Sequence, residues 1–381
     1  MTLREPLWWS AGLLSAGIAA GALLPGPWYL PMAMLLLVAA TALTMADKGR
    51  GWALLLFWAA FGAARSSMTG ILPTPARHAW EAVQARAEGQ SDLLEARLRE
   101  AGLSDEALSL GAALLLGRHE GITREVRQDY SRSGAAHLLA LSGLHLGILY
   151  GLLHLLVIRH IRRTRWRWWA LPPLLLLLWG YVLLAGMPLS LVRAAGMCSV
   201  VLVATLARRR LDPMHALALS AMAILLASPG SLLSISFQLS FLAVLFILAI
   251  CPRLAGRPGM LARLRQMGLV SMAAWLGTSP LAAYYFHTIP LLSIPLSMLL
   301  VPLTTLIVYL SLATLLLPLP LLASGLGTLI GLQNGIVAFC AHLPGATISG
   351  LRPSWWHIAL AYALLLVAIT RLNARRRQAD W

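Results

Sequence analysis

Residues 171–210 read LPPLLLLLWGYVLLAGMPLSLVRAAGMCSVVLVATLARRR. Two apolar runs are separated by Gly186-Met187-Pro188 and closed by Arg208-Arg209-Arg210. Each run approaches the roughly 20 residues that a helix needs to cross the hydrocarbon core of a bilayer. Neither alternates with polar residues as a half-exposed soluble helix or strand does. The solvent of this stretch is lipid, and the rest of the chain repeats the pattern.

The chain has 381 residues, 59% hydrophobic and 12% charged, with a mean hydropathy of +0.75. Soluble domains carry about 25% charge, so a soluble enzyme, a disordered tail and a disulfide scaffold are all excluded. The length accommodates roughly 10–12 spans. The fold class expected is therefore all-α, a polytopic transmembrane helical bundle. Spans are expected near 7–24, 28–46 and 52–72, and then near 135–158, 168–186, 188–206, 214–227 and 232–250. Four more are expected near 268–286, 291–317, 321–342 and 355–370, with a re-entrant segment as an alternative in the Pro-rich 290–345. The three cysteines, Cys198, Cys251 and Cys340, stand alone in apolar runs and read as small core residues.

The net charge of +16 is unevenly distributed. Residues 73–132 hold eight arginines and ten acids, a net of −2, while the remainder holds 22 basic and 4 acidic residues. With the N-terminus inside, 19 Lys and Arg fall on inner segments, and short outer loops hold almost none beyond Arg352. Both termini are then cytoplasmic. Four segments are expected: a three-span portion 1–72, an extracytoplasmic amphipathic helical segment 73–132, a channel-like domain 133–371 and a basic tail 372–381. In the polar segment Ser91 and Ser104 read as helix N-caps and Gly102 as a stop.

Polar residues inside lipid are costly and therefore informative. No Asp or Glu occurs between positions 130 and 211, or between 213 and 379. Cation-coupled carriers and hydrolytic metal sites commonly need such carboxylates, so no metal site and no cofactor are expected. Three clusters of neutral donors and cations remain. His137, Ser142, Gly143 and His145 form the first; at i, i+4, i+8 the two histidines share a helix face with Leu141, and Gly143 and Gly147 make a GxxxG pair. The second is Pro188–Gly196, with Arg193 either snorkelling outward or fixed near the outer entrance of a polar path. In the third, Ser236 and Ser240 share one face of a helix and Ser234 and Gln238 a neighbouring one, as pore lining or as interhelical glue. Ordinary packing accounts for the glycines, and a satisfied core position for each histidine. No carboxylate near in sequence orients His145 toward Ser142 as a catalytic pair would need.

The same three clusters, in order, resemble the membrane channel domain of the ComEC family of competence proteins. HLLALSGLH at 137–145 is similar to the family's HLLAISGLH, PLSLVRAAGM at 188–197 to its Ser-x-x-Arg-Ala block, and SFQLSFLAV at 236–244 to its Phe-Gln-Leu-Ser-Phe block. LSLGAALLLG at 108–117 looks like its Leu/Ala-rich run, although Arg118 stands where the family has an acid and Ser297 where relatives tend to show Asn. The resemblance implies a bacterial inner-membrane channel that passes single-stranded DNA into the cytoplasm, with no catalytic activity of its own. It makes His137, Ser142, Gly143, His145, Arg193, Ser236, Phe237, Gln238 and Ser240 path or path-support positions. Arg159, Arg162, Arg163, Arg208, Arg209 and Arg210 become either a basic inner mouth or an orientation signal alone. The family's extracellular OB-fold and metal-dependent nuclease domain have no counterpart among these residues, and no P-loop is present. A periplasmic DNA receptor, a separate nuclease and a cytoplasmic ATPase or helicase are the partners implied, with a homo-oligomer an option. The alternatives are a transporter or flippase for an anionic lipid or surface polymer, and a membrane hydrolase built on Ser142 and His145.

Overall fold

The protein, seen in a computed structural model, is described over residues 74–209, 212–251 and 259–379. The three expected N-terminal spans, Arg210 and residues 253–258 lie outside the described residues. All nine segments expected to span beyond position 133 contain helix. Five described helices are long and apolar enough to cross a membrane: Gly143–Ile161, Arg165–Leu184, Leu189–Leu206, Ser293–Leu316 and Pro320–Ala341. Shorter apolar helices occur at Pro213–Ala227, Ile235–Ile250 and Trp355–Arg371. The chain is an all-α polytopic bundle.

In chain order the helices are α1 (Thr74–Glu100), α2 (Asp105–Leu116), α3 (Arg124–Ser133), α4 (Ala136–Leu139) and α5 (Gly143–Ile161). Then follow α6 (Leu171–Leu184), α7 (Leu189–Leu206), α8 (Pro213–Ala227), α9 (Ile235–Ile250) and α10 (Met260–Phe286). Strand β1 (Thr288–Pro290) precedes α11 (Ser293–Leu316) and α12 (Pro320–Ala341); β2 (Thr347–Ser349) precedes α13 (Trp355–Ala379). No re-entrant break interrupts α11 or α12, although Pro302 lies inside α11. The two strands pair antiparallel, Ile289 opposite Ile348, which the sequence reading did not anticipate. Ser91 is not a cap: it is buried inside the continuous α1, because Ser is tolerated where neighbouring residues continue the helix. Ser104 does cap α2, its Oγ accepting from the Ala107 N–H at 3.4 Å, and Gly117 closes the same helix in the left-handed region at φ +76°.

Two compact units are distinguished, residues up to Gly89 with Leu146–Gln238, and Gln90–His145 with residues from Leu239 onward. In the first unit α7 packs on α6 and α8. Gly196 makes the α7–α8 approach possible, since a Cβ there would lie 2.8 Å from Ser220 Oγ. In the second unit α2 and α3 pack on α11 and α12. Leu98, Leu108, Leu110 and Leu114 share one core with Leu300, Ile307, Leu326 and Ile330. Hydrophobicity gives spans little preference for one another over lipid, so packing and hydrogen bonds hold them. A single relay crosses this unit: Thr304 Oγ1 donates to Gln333 Oε1 (3.1 Å) and Gln333 Nε2 to Tyr130 Oη (3.1 Å). Tyr130 Oη donates in turn to Asn334 Oδ1 (3.1 Å), and Asn334 Nδ2 to Glu106 Oε1 (3.0 Å). Each donor points to the next acceptor, an arrangement in which the bonds polarise one another. Outside the bundle Arg118 pairs with Asp92 and, at 3.2 Å, with Glu95, so the position that departs from the family pattern is engaged by acids of α1.

Tyr130→Phe leaves the Gln333 and Asn334 amides without their partner in a buried site. It is expected to cost about 1–3 kcal/mol, read as a lower melting temperature of the detergent-solubilised protein. Tyr130→Phe combined with Gln333→Leu is expected to recover part of that loss.

Candidate functional site

The stretch read as one helix from position 135 is not continuous. Gly134 ends α3 at φ +85°, α4 makes a single turn, and Ala140 adopts an extended conformation before α5 starts at Gly143. The i, i+4, i+8 relation of His137, Leu141 and His145 therefore does not hold. A break in an apolar helix frees backbone donors that lipid cannot satisfy. Here Ser142 and His145 satisfy them. Ser142 Oγ accepts from the Leu144 N–H at 3.2 Å, and the Ser142 N–H donates to His145 Nδ1 at 3.3 Å. This is a reciprocal cap, with histidine in the place where a capping box has Glu or Gln.

The hydrogen bonds also assign the imidazole protons. His145 Nδ1 accepts a backbone N–H, so in the neutral ring the proton sits on Nε2. That Nε2 has no hydrogen-bond partner, although His145 is only 1% exposed. A buried donor without an acceptor costs about 1–3 kcal/mol, so its retention calls for a reason. His137 is the opposite case. Its Nδ1 donates to the Gly134 carbonyl at 3.0 Å, leaving Nε2 as an acceptor in an exposed ring. Ser297 Oγ lies 3.5 Å from that nitrogen and donates its own proton to the Ser293 carbonyl at 2.6 Å.

The turn that carries His137 rests on distant parts of the second unit. A Cβ on Gly134 would lie 2.6 Å from Pro290 Cβ, Ser293 Oγ donates to the Gly134 carbonyl, and Thr347 Oγ1 donates to the Arg132 carbonyl. Trp275 Nε1 donates to the Pro290 carbonyl at 3.0 Å and fixes the strand from the other side. Pro290, Ser293 and Ser297 were not singled out in the sequence as functional. The one available signal was Ser297 standing where relatives tend to show Asn. Among the described residues nothing lies within 4 Å of where a Cβ on Gly147 would stand, so no close packing is seen there.

Arg193 lies in the first unit. It is 5% exposed and does not snorkel; its helix is gripped through the Arg193 carbonyl, which accepts from Ser220 Oγ at 2.9 Å. On α9 the structure revises the faces. Ser234 precedes the helix and caps it, accepting from the Phe237 N–H at 3.2 Å, so it shares no helical face with Gln238. Gln238 Nε2 donates to the Leu232 carbonyl at 3.1 Å, Phe237 is buried, Ser236 is exposed and Ser240 is half-buried. Of the basic residues, Arg159, Arg163, Arg208 and Arg209 are exposed and Arg162 is half-buried. Among the described residues no group of three or more His, Cys, Asp or Glu is placed to hold a metal ion.

The family model described as "Competence protein" matches residues 114–375. The chain is 36% identical over 200 residues to ComE operon protein 3 of Bacillus subtilis (strain 168), which covers 52% of this chain and 25% of that protein. It is 27% identical over 201 residues to an uncharacterized protein of Aquifex aeolicus (strain VF5), covering 52% of this chain and 46% of that protein. The chain thus aligns with less than half the length of either relative. No solved structure matches it significantly.

Loss of the reciprocal cap in Ser142→Ala is expected to cost about 1 kcal/mol, with Ser142→Asn recovering most of it. Gly134→Ala must both hold a left-handed backbone and displace Pro290, so it is expected to cost about 2 kcal/mol or more. Melting temperatures of the three variants in one detergent test this order.

Proposed function

The chain belongs to the competence protein family, and from that premise we propose that it is a multi-pass channel of the bacterial inner membrane passing single-stranded DNA into the cytoplasm. The observation that carries this reading is the broken helix at 140–142, set in a stretch free of carboxylates. It leaves His145 with an unused N–H donor and His137 with an exposed ring. A passing strand presents one phosphate charge per nucleotide, and lining acids would repel it. Neutral donors at a break in the helix suit such a passenger better than a cation.

In this reading His137, Ser142, Gly143 and His145 surround the break. Arg193, Ser236, Phe237, Gln238 and Ser240 line or support the path. Arg159, Arg162, Arg163 and Arg208–Arg210 make the inner face positive. The chain itself acts without catalysis or cofactor, both termini are cytoplasmic, and the spans number about 10–12. A periplasmic receptor, a separate nuclease and a cytoplasmic ATPase or helicase work with it.

A second reading, a membrane hydrolase, draws on the 3.3 Å separation of Ser142 Oγ and His145 Nδ1. It is disfavoured because the same Nδ1 accepts the Ser142 N–H, and because none of the hydrogen bonds of His145 reaches a carboxylate that would orient it.

The test is uptake of labelled DNA into the cytoplasm of a deletion strain, complemented by wild type, Arg193→Glu, Arg193→Lys, Gln238→Glu or Ser142→Ala. Wild type, Arg193→Lys and Ser142→Ala are expected to restore uptake. Arg193→Glu and Gln238→Glu are expected not to, since one places an acid in a buried and the other in a half-buried position of a membrane helix. Loss of uptake in Ser142→Ala with normal protein levels would favour the hydrolase. Normal uptake in the deletion strain would favour a carrier of an anionic lipid or polymer.

A further inference from the structure

Within the first unit, Arg162, Arg163, Thr205, Arg208 and Arg209 line an open pocket of about 660 Å³. Arg208 is held in place: its backbone is left-handed at φ +57°, and its guanidinium donates to the Arg162 carbonyl at 3.3 Å and the Arg163 carbonyl at 3.1 Å. It thereby closes the end of α5 and fixes a cation beside three others. Among the described residues none of the four arginines pairs with a carboxylate. The helices that carry the pocket are apolar in the turns before it. Leu155 and Leu156 on α5 and Val203 on α7 are exposed within the last turns before the arginines. The chain then continues as Arg165-Trp-Arg-Trp, with Arg165 stacked over Trp166 at 5.3 Å and Arg167 over Trp168 at 5.7 Å. Trp166 and Trp169 are 60% and 77% exposed.

We propose that this pocket binds the phosphate of an anionic phospholipid from the cytoplasmic leaflet. Four guanidinium groups with no carboxylate partner among the described residues favour an anion, and phosphate matches their planar donor geometry. The charge alone suits a phosphate of any origin. The flanks select the lipid: exposed leucines and a valine in the preceding turns of α5 and α7 suit acyl chains, and the exposed indoles that follow in sequence suit the level of headgroups. The indoles serve either ligand, since bases stack on exposed aromatic rings, whereas the leucines and valine suit acyl chains alone. The inference stands whatever the passenger is, and it gives Arg162, Arg163, Arg208 and Arg209 a second role beside their share in the positive inner face.

The experiment is native mass spectrometry of the full chain after detergent exchange in an equimolar mixture of phosphatidylglycerol and phosphatidylcholine. Wild type is expected to retain phosphatidylglycerol selectively. Arg163→Gln with Arg209→Gln, which spares Arg208 and its hold on α5, is expected to lower that retention about 30-fold. Arg163→Gln alone is expected to lower it about fivefold and to decide the matter if the double variant does not stay monodisperse. Arg352→Gln, remote in sequence and outside the pocket, is expected to leave retention unchanged. Equal retention of both lipids by wild type, or unchanged selectivity in the variants, would overturn the proposal. Displacement of phosphatidylglycerol from wild type by a single-stranded oligonucleotide would overturn it as well, by assigning the pocket to a nucleic acid strand.

Discussion

A polypeptide in lipid must satisfy its own backbone hydrogen bonds, and every departure from continuous helix has to be met by specific side chains. The chain departs from helix between Leu139 and Gly143, and two residues of its densest polar cluster meet the demand. Ser142 and His145 cap the restarted helix from both directions. The cap consumes one nitrogen of His145 and leaves the other as a buried donor. Structural need and available chemistry are therefore coupled in one residue: the bond that stabilises the break is also the one that sets the tautomer.

The break is held from far away in the chain. Gly134 sits against Pro290, Ser293 reaches its carbonyl, and Thr347 reaches the carbonyl of Arg132, so both strands of the small sheet contribute to one turn. The Thr304–Gln333–Tyr130–Asn334–Glu106 relay ties the same helices together without a buried charge at its centre. Small residues and neutral hydrogen bonds are the means by which membrane helices associate when apolar burial supplies little preference.

The helical architecture was legible in the sequence because its signals are local. Apolar runs of span length, Pro and Gly between them and arginines at many of their ends mark the helices from Leu171 onward, while Gly102 announces the end of α1 and Ser104 the start of α2. The break was not legible from periodicity, since His137, Leu141 and His145 fit a helical face as well as a turn. Its trace was Ser142 before Gly143, a capping residue in the middle of an apolar run. The two-stranded sheet was beyond reach, because strands of three residues carry no period and their partners lie more than fifty positions apart. The seat of Gly134 and the partners of Tyr130 were hidden for the same reason: spacing along a chain does not say which helices become neighbours. The basic mouth was legible as charge, whereas the anchoring of Arg208 to two carbonyls depends on a backbone turn that no motif announces.

The distance in sequence between Gly134 and its seat has a consequence for biogenesis. Ser293, which bonds the Gly134 carbonyl, follows it by 159 residues. At a synthesis rate of about 5–20 residues per second, the ribosome adds those residues in roughly 8–30 s. Throughout that interval the turn, its reciprocal cap and the unpaired His145 nitrogen sit in the nascent chain without support from β1, β2 or α11. Assembly of this region is post-insertional: the early helices enter the bilayer first, and the break takes its final form only when the last third of the chain arrives to brace it. The nascent chain thus carries an unbraced turn from the translation of α5 until β2 follows.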